Sequence, residues 1–316
     1  MLKSRVLVLG DANVDLVIPL EDRSPGDDLP RDSALELHGG GTAANVAVGL
    51  ARLEDQVAFI GTVGDDGYGR WVMSDFGDEG VNLEHTSIVQ DVYTSMVLAL
   101  IYPDGERGIY VWPDQGGAHT KLHPDSIRSA IFNGTTWLHT TGLCLREEPV
   151  RTAQLKAMDL AQQAGLVVSL DLNLRLESWG MDRDLQKIFE QAIELSDIVF
   201  GNGVEEIIPY SGETSVQAGA EALSSGKRIV IARLGANGAL VVAPGESFTS
   251  PAFQVEIVDS LGAGDAYNSG FISARLGGEE LPEAARWGNA AAALKIGKTG
   301  ARGLPTRQEL LALLAE

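Results

Sequence analysis

Two glycine-rich turns, one near each end of the chain, hold the residue types that could do chemistry. The later one reads Asp259-Ser-Leu-Gly-Ala-Gly-Asp265 and runs straight into a helix-like stretch, 266–276. Gly262, Ala263 and Gly264 are too small to keep a ligand off the backbone. N–H groups at a helix start point outward without partners, so the segment forms an anion site. Asp265 sets a carboxylate beside that anion, which would only hinder plain phosphate binding. It has a use if the carboxylate takes up a proton while a phosphoryl group is transferred. The plain alternative is a glycine-containing turn whose aspartate caps a helix, a favoured role for Asp. From this segment alone the two readings stay open.

The earlier turn is His38-Gly-Gly-Gly41-Thr-Ala-Ala-Asn45. It lacks the Gly-Lys-Ser/Thr ending of a Walker loop and the G-x-G-x-x-G spacing of a dinucleotide fingerprint. It does offer exposed backbone at Gly40 and Gly41, and the Asn45 amide can both donate to and accept from sugar hydroxyls. Upstream, Gly10-Asp-Ala-Asn13-Val-Asp15 follows the first apolar run. Ligands of open α/β sheets bind at that carboxyl edge. Asp15 reads as a hydroxyl acceptor, with a solvated turn residue as the alternative.

These residues need a frame. Apolar runs at 5–10, 57–63, 136–141, 166–171, 197–200, 228–232 and 239–243 suit strands buried on both faces of a parallel sheet. Between several of them lie helically spaced stretches, 42–53, 149–165, 182–196 and 216–225. The alternation predicts a doubly wound α/β fold, its mainly parallel sheet flanked by helices. A run of helices, 263–276, 281–295 and 306–315, closes the chain. The exception is 92–112, a β-hairpin turning at Asp104-Gly105. It reads as a lid over a cleft, paired with residues near 15–19 and 34–38; the alternative is an edge hairpin extending the main sheet. The whole chain, 1–316, is read as one domain with lid segments at 14–38 and 92–114.

The composition narrows the partners. With 44 acidic against 24 basic residues, the net charge of −20 argues against nucleic-acid binding and membrane-surface attachment. A phosphate ligand is still compatible, because local backbone dipoles and magnesium override a global field. The single cysteine excludes an internal disulfide and fits a reducing compartment. Lys3 and Arg5 before an apolar run look like a signal peptide, but Asp11 and Asp15 interrupt the run too early. No stretch approaches the roughly 18 apolar residues that span a membrane. The expected location is the cytoplasm. The five histidines show no metal-ligand spacing, Cys144 has no Cys-His pairing, and no G-x-S-x-G elbow occurs.

Taken in order, the two turns resemble the two signatures of the ribokinase (pfkB) family of carbohydrate kinases. Further segments are similar to the family pattern: Gly61 to Gly69 with Asp65 and Asp66, Asn202-Gly-Val-Glu205, Arg233-Leu-Gly235-Ala-Asn-Gly238, and Gly300-Ala301. The resemblance covers essentially the whole chain. It implies Asp265 as the base for a sugar hydroxyl, with the Gly262, Ala263 and Gly264 amides holding the charge of the transferring γ-phosphate. It implies that Asn13, Asp15, Gly40, Gly41 and Asn45 hold the sugar. Asn202 and Glu205 would act through magnesium and its waters, and Arg233, Gly235, Gly238 and Asn289 would line the ATP site. It also implies a potassium site made by Asp259 and carbonyls around Leu261, Lys295, Lys298 and Gly300. Leu261 departs from the usual Thr or Ser there, which weakens the potassium expectation. The stretch Asp171-Leu-Asn173-Leu-Arg175 up to Trp179 resembles fructokinase-like and ketodeoxygluconate-kinase-like members. Arg175 could then reach a substrate carboxylate or phosphate; the alternative is a salt-bridged loop residue. The expected activity is ATP-dependent phosphorylation of a primary hydroxyl on a sugar of the fructose, ribose or ketodeoxygluconate type. The alternatives are a nucleoside or riboside kinase, and a non-catalytic sugar- or nucleotide-binding regulator. A homodimer through the lid face is a further implication.

Overall fold

The computed structural model describes residues 5–19, 35–101 and 107–316. Tyr102 and the Asp104-Gly105 turn of the expected hairpin lie outside the described residues. The strands are β1 (Val6–Leu9), β2 (Asn13–Pro19), β3 (Glu36–Gly40), β4 (Val57–Gly64), β5 (Asn82–Val89), β6 (Met96–Ile101), β7 (Arg107–Trp112), β8 (Trp137–Thr141), β9 (Val167–Asp171), β10 (Ile198–Asn202), β11 (Ile229–Arg233), β12 (Ala239–Ala243) and β13 (Glu246–Ser250).

Nine of them form the main sheet in the order β13-β12-β11-β10-β9-β8-β1-β4-β5. The pairs from β11 across to β5 are parallel; β12 and β13 add an antiparallel edge. Apolar runs such as Val6–Leu9 belong here because both faces are covered. Val6 and Val8 join one core with the helices Thr42–Arg52, Gly67–Asp78, Ala263–Gly277, Leu281–Ile296 and Arg307–Leu314. Leu7 and Leu9 join the other, with Val150–Gln163, Arg183–Glu194 and Val216–Ser224. The doubly wound expectation holds.

The hairpin is not an extension of the main sheet. β6 and β7 join β2 and β3 in a separate four-stranded sheet, β3-β2-β6-β7, in which β2 and β6 run parallel. Asp66 fastens the base of this sheet to the body. Its carboxylate caps the Gly67 helix at Gly69 N and also accepts from Thr94 N, each at 2.7 Å.

One packing contact matters most for the site. The Thr42 and Ala263 helices cross at Gly49 and Ser269, where a Cβ on residue 49 would lie 2.5 Å from the Ser269 hydroxyl. Asn45 lies one turn before Gly49 and Asp265 one turn before Ser269. The close approach therefore brings these two side chains within bonding distance.

Candidate active site

Asn45 Nδ2 donates to Asp265 Oδ2 at 2.8 Å, and both residues are buried. Asn45 Oδ1, equally shielded, has no hydrogen-bond partner among the described residues. Such an orphan acceptor is what a site awaiting a hydroxyl donor would leave. Burial pushes the Asp265 carboxyl up to about 7. The Asn45 bond pulls it down, Asp171 pushes it up, Arg233 pulls it down and Asp11 pushes it up.

Asp265 stands in the first turn of its helix, after Gly262 at φ 79°, a left-handed conformation that glycine adopts without strain. The Gly262 and Gly264 N–H groups donate to no acceptor in the described chain, whereas Ala263 N donates to Ser260 O at 3.2 Å. Two of the three expected anion-hole amides thus point free and the third is engaged.

On one side lie the groups expected to hold a sugar. Asn13 Nδ2 donates to Asp15 Oδ1 at 2.7 Å. A Cβ on Gly40 would fall 2.3 Å from that oxygen and 2.5 Å from the Asn13 amide, so only glycine lets the two strands meet there. Burial is the main reason that the Asp15 carboxyl rises to about 6, opposed by the Asn13 bond. Gly41, at φ 98°, rests against Asp11 O, and Asp11 binds Thr42 N, Thr42 Oγ1 and Ala43 N at the start of the Thr42 helix. Sequence reasoning missed this role of Asp11. A cavity of about 240 Å³, lined by Asp15, His38, Asp259, Leu261 and Gly300 among others, opens between the small sheet and the loop before Asp265.

On the other side Asn202 and Arg233 are cross-strand partners at the ends of β10 and β11. Arg233 makes a bidentate pair with Asp171 at 2.7 and 2.9 Å, donates to Asn268 Oδ1 at 2.9 Å and reaches Gly264 O at 3.4 Å. Asn268 Nδ2 donates to the same Asp171 carboxylate at 2.6 Å. Burial opposes ionisation of Asp171, but Arg233 prevails and holds the carboxyl below the usual range. Arg233, expected to line the ATP site, is committed to a buried network beneath Gly264. Asp171 entered the sequence reading only as the start of its motif, without this role, and Asn268 was not singled out although it follows Asp265 by one helical turn.

Asn202 Oδ1 accepts from Val204 N and Glu205 N at 3.0 Å, and its Nδ2 donates to the exposed Glu205 at 3.1 Å. Among the described residues no cluster of three His, Cys, Asp or Glu could hold a metal. One amide and one exposed carboxylate still fit magnesium, which keeps several waters and takes phosphate oxygens as further ligands. Gly235 and Gly238 have positive φ and shape the turn from β11 to β12. Asn289 Nδ2 donates to Ser250 O and Oγ at 3.1 and 3.0 Å. Arg175 is exposed and left-handed at φ 49°, and its Nε donates to Asn173 Oδ1 at 2.8 Å. No described bond links it to Asp15, Asn45 or Asp265. Of the positions in and just before the hairpin, Thr94 and Ser95 are buried, bonded to Gly64 and His119, while Tyr110 and Trp112 are exposed.

The expected potassium ligands do not fit that ion. Lys295 was expected to supply its carbonyl, yet that carbonyl accepts from Lys298 N at 2.9 Å. It is the Lys295 side chain, fully buried, that faces the cluster. Its Nζ donates to Asp259 O at 2.8 Å and to Lys298 O at 3.1 Å. The Asp259 carboxylate accepts from Leu261 N and Gly300 N, each at 2.9 Å, and Gly300 O accepts from Gly303 N.

Residues 3–307 match the model of the pfkB family carbohydrate kinases. A 5-dehydro-2-deoxygluconokinase of Photobacterium profundum is 32% identical over 311 residues, spanning 96% of this chain and 92% of that protein. A double-mutant fructokinase from Vibrio cholerae, solved with fructose, ADP and potassium, superposes with a TM-score of 0.84 at 30% identity over 99% of this chain and 98% of its own. Aminoimidazole riboside kinase from Salmonella enterica, solved with its riboside and an ATP analogue, gives 0.82 at 29% identity over 98% and 99%.

Proposed function

This chain belongs to the pfkB family of carbohydrate kinases, and from that premise we propose how it moves the γ-phosphoryl group of ATP to a hydroxymethyl group of a small sugar. The observation that carries the reading is Asp265: a buried carboxylate raised to about 7, held by Asn45, at a helix start with free amides at Gly262 and Gly264. A base so tuned can hold the substrate hydroxyl and still release its proton near neutral pH. Asn13, Asp15 and the bare backbone at Gly40 and Gly41 orient the sugar so that the hydroxyl meets Asp265. The amides at 262 and 264, with the Ala263 N–H once freed from Ser260, stabilise charge on the transferring group. Arg233 lies beneath Gly264 and adds positive charge to that helix start. Asn202 and Glu205 would hold magnesium through water, and the ion would neutralise phosphate charge when bound. Gly235, Gly238 and Asn289 belong to the nucleotide side of the same proposal.

The chain is read as one catalytic domain, 1–316, with the small sheet acting as a lid that excludes water during transfer. β7, at the edge of the lid, exposes Tyr110 and Trp112 on one face and Ile109 on the other, an apolar edge suited to a second copy of the chain. Among the described residues no helix is long and apolar enough to cross a membrane, and the cytoplasm is the proposed location.

The test is phosphorylation of fructose, ribose, 2-keto-3-deoxygluconate, 5-dehydro-2-deoxygluconate and ribosides with ATP and magnesium, following ADP and the phosphorylated product. Product from the free sugars or sugar acids supports the proposal. Product from ribosides alone supports the riboside reading, which the likeness to aminoimidazole riboside kinase keeps in play. No transfer to any acceptor, despite nucleotide binding, would leave a binding regulator.

A further inference from the structure

We infer that this protein carries its own monovalent cation, the Lys295 ammonium, where a potassium ion would be expected, and that it works without potassium. The inference rests on the kinase reading above for its functional meaning, though not for its geometry.

Lys295 lies in the last turn of the Leu281–Ile296 helix and is fully buried. A lysine near a helix C-terminus can bond to a carbonyl just past its own helix end, and the bond to Lys298 O, two residues beyond Ile296, at 3.1 Å is of that kind. The bond to Asp259 O at 2.8 Å is not: it crosses to the loop that enters the Asp265 helix. An amine that joins two loops through carbonyl oxygens does what an alkali cation does in such a cluster. An ammonium head is a compact point charge of similar size. Burying it is costly unless acceptors meet its protons, and here two carbonyls accept from it.

The surrounding donors are engaged consistently. Val258 N and Asp259 N both donate to Ile296 O, and the Asp259 carboxylate grips Leu261 N and Gly300 N. Gly262 lies against Ala301, with room for no Cβ at 2.8 Å from Ala301 O. Lys295 therefore clamps the loop 259–262 onto the loop 298–301, directly behind the free amides of Gly262 and Gly264. A fixed charge there supports the anion hole and holds its amides in place, both at every salt composition.

Thermal unfolding of the unaltered chain, in potassium chloride against tetramethylammonium chloride at matched ionic strength, tests this without requiring turnover. The two series should coincide, and kinase rates should match as well. A saturable, potassium-specific rise in Tm of about 5 °C at cation roughly 100-fold above its Kd would overturn the inference. Lys295→Met removes the charge and keeps the stem. It should lower Tm, reduce kcat by about tenfold or more, and acquire a potassium-specific recovery of Tm that tetramethylammonium does not give. A folded Lys295→Met chain indifferent to potassium would also contradict the inference. Were the variant unable to fold, the measurement on the unaltered chain still decides. A chain that phosphorylates nothing but shows this Tm pattern would sink the kinase reading and leave the lysine clamp standing.

Discussion

Asp171 and Asp265 are two buried carboxylates at the foot of the same helix, Asp265 within its first turn and Asp171 bonded to Asn268 of the next, yet they are tuned in opposite directions. Asp171 faces the fork of Arg233 and the Asn268 amide, and it stays ionised below the usual range. Asp265 has one amide, from Asn45, and burial carries it up to about 7. Burial is shared, so partners make the difference. A saturated carboxylate is a structural anion, and an under-satisfied one is a base. Asp171 also sharpens Asp265: its charge raises the neighbour, against the downward pull of Arg233.

The largest break in this contrast comes from Asp265→Asn. Turnover should fall about 10²- to 10⁴-fold, the span of general-base catalysis, with ATP and sugar binding retained by calorimetry. Retained turnover would remove Asp265 from its role. The same change should stabilise the fold at alkaline pH. Asp265 keeps its proton up to about pH 7 when folded but releases it near 3.8 when unfolded. The stability it contributes is thus present below about pH 4 and lost as pH rises through 7, on the order of a few kcal/mol. Asparagine carries no such cost, so its Tm should exceed that of the unaltered chain at pH 8 and the gap should close in acid.

Asp171→Asn attacks the other member. It strands Arg233 without its charge partner and should cost about 3–5 kcal/mol of stability in denaturant unfolding. In the surviving folded enzyme the acid limb of kcat/KM should move below pH 7, because a negative neighbour is gone and Arg233 is released. Lost stability with an unmoved limb would mean that the two carboxylates are tuned separately. A smaller effect is expected from Asn45→Ala, which deletes the one bond that lowers Asp265. The limb should move upward and kcat/KM should fall by about tenfold, the worth of a hydrogen bond to a charged group. A limb that stays put would detach Asn45 from the tuning of the base.

The sequence made the frame legible wherever burial leaves a pattern. Runs such as 5–10 and 166–171 became central strands because covered faces demand unbroken apolar residues. β5 was missed: as an edge strand its residues Asn82, Glu84, His85 and Ser87 need not be apolar. The Gly67–Asp78 helix was missed as well, since three glycines weaken its periodicity and its Asp66 cap does much to define it. At the site, Asp265, Asn45, Asp15 and Gly40 could be found from their turns. Their mutual distances could not, because the Asn45–Asp265 bond depends on two helices meeting at Gly49 and Ser269. Lys295 shows the same limit in reverse. Its place in the motif suggested a backbone carbonyl, and only packing reveals which end of the residue faces the cluster.

The central claim is that Asp265 is a base raised by burial, and the pH dependence of kcat/KM tests it most directly. With magnesium in excess, from about pH 5 to about pH 9, the account predicts an acid limb with a midpoint near 7 that is missing from the residual activity of Asp265→Asn. A profile flat down to pH 5, or a limb near 7 that survives in the asparagine variant, would contradict it.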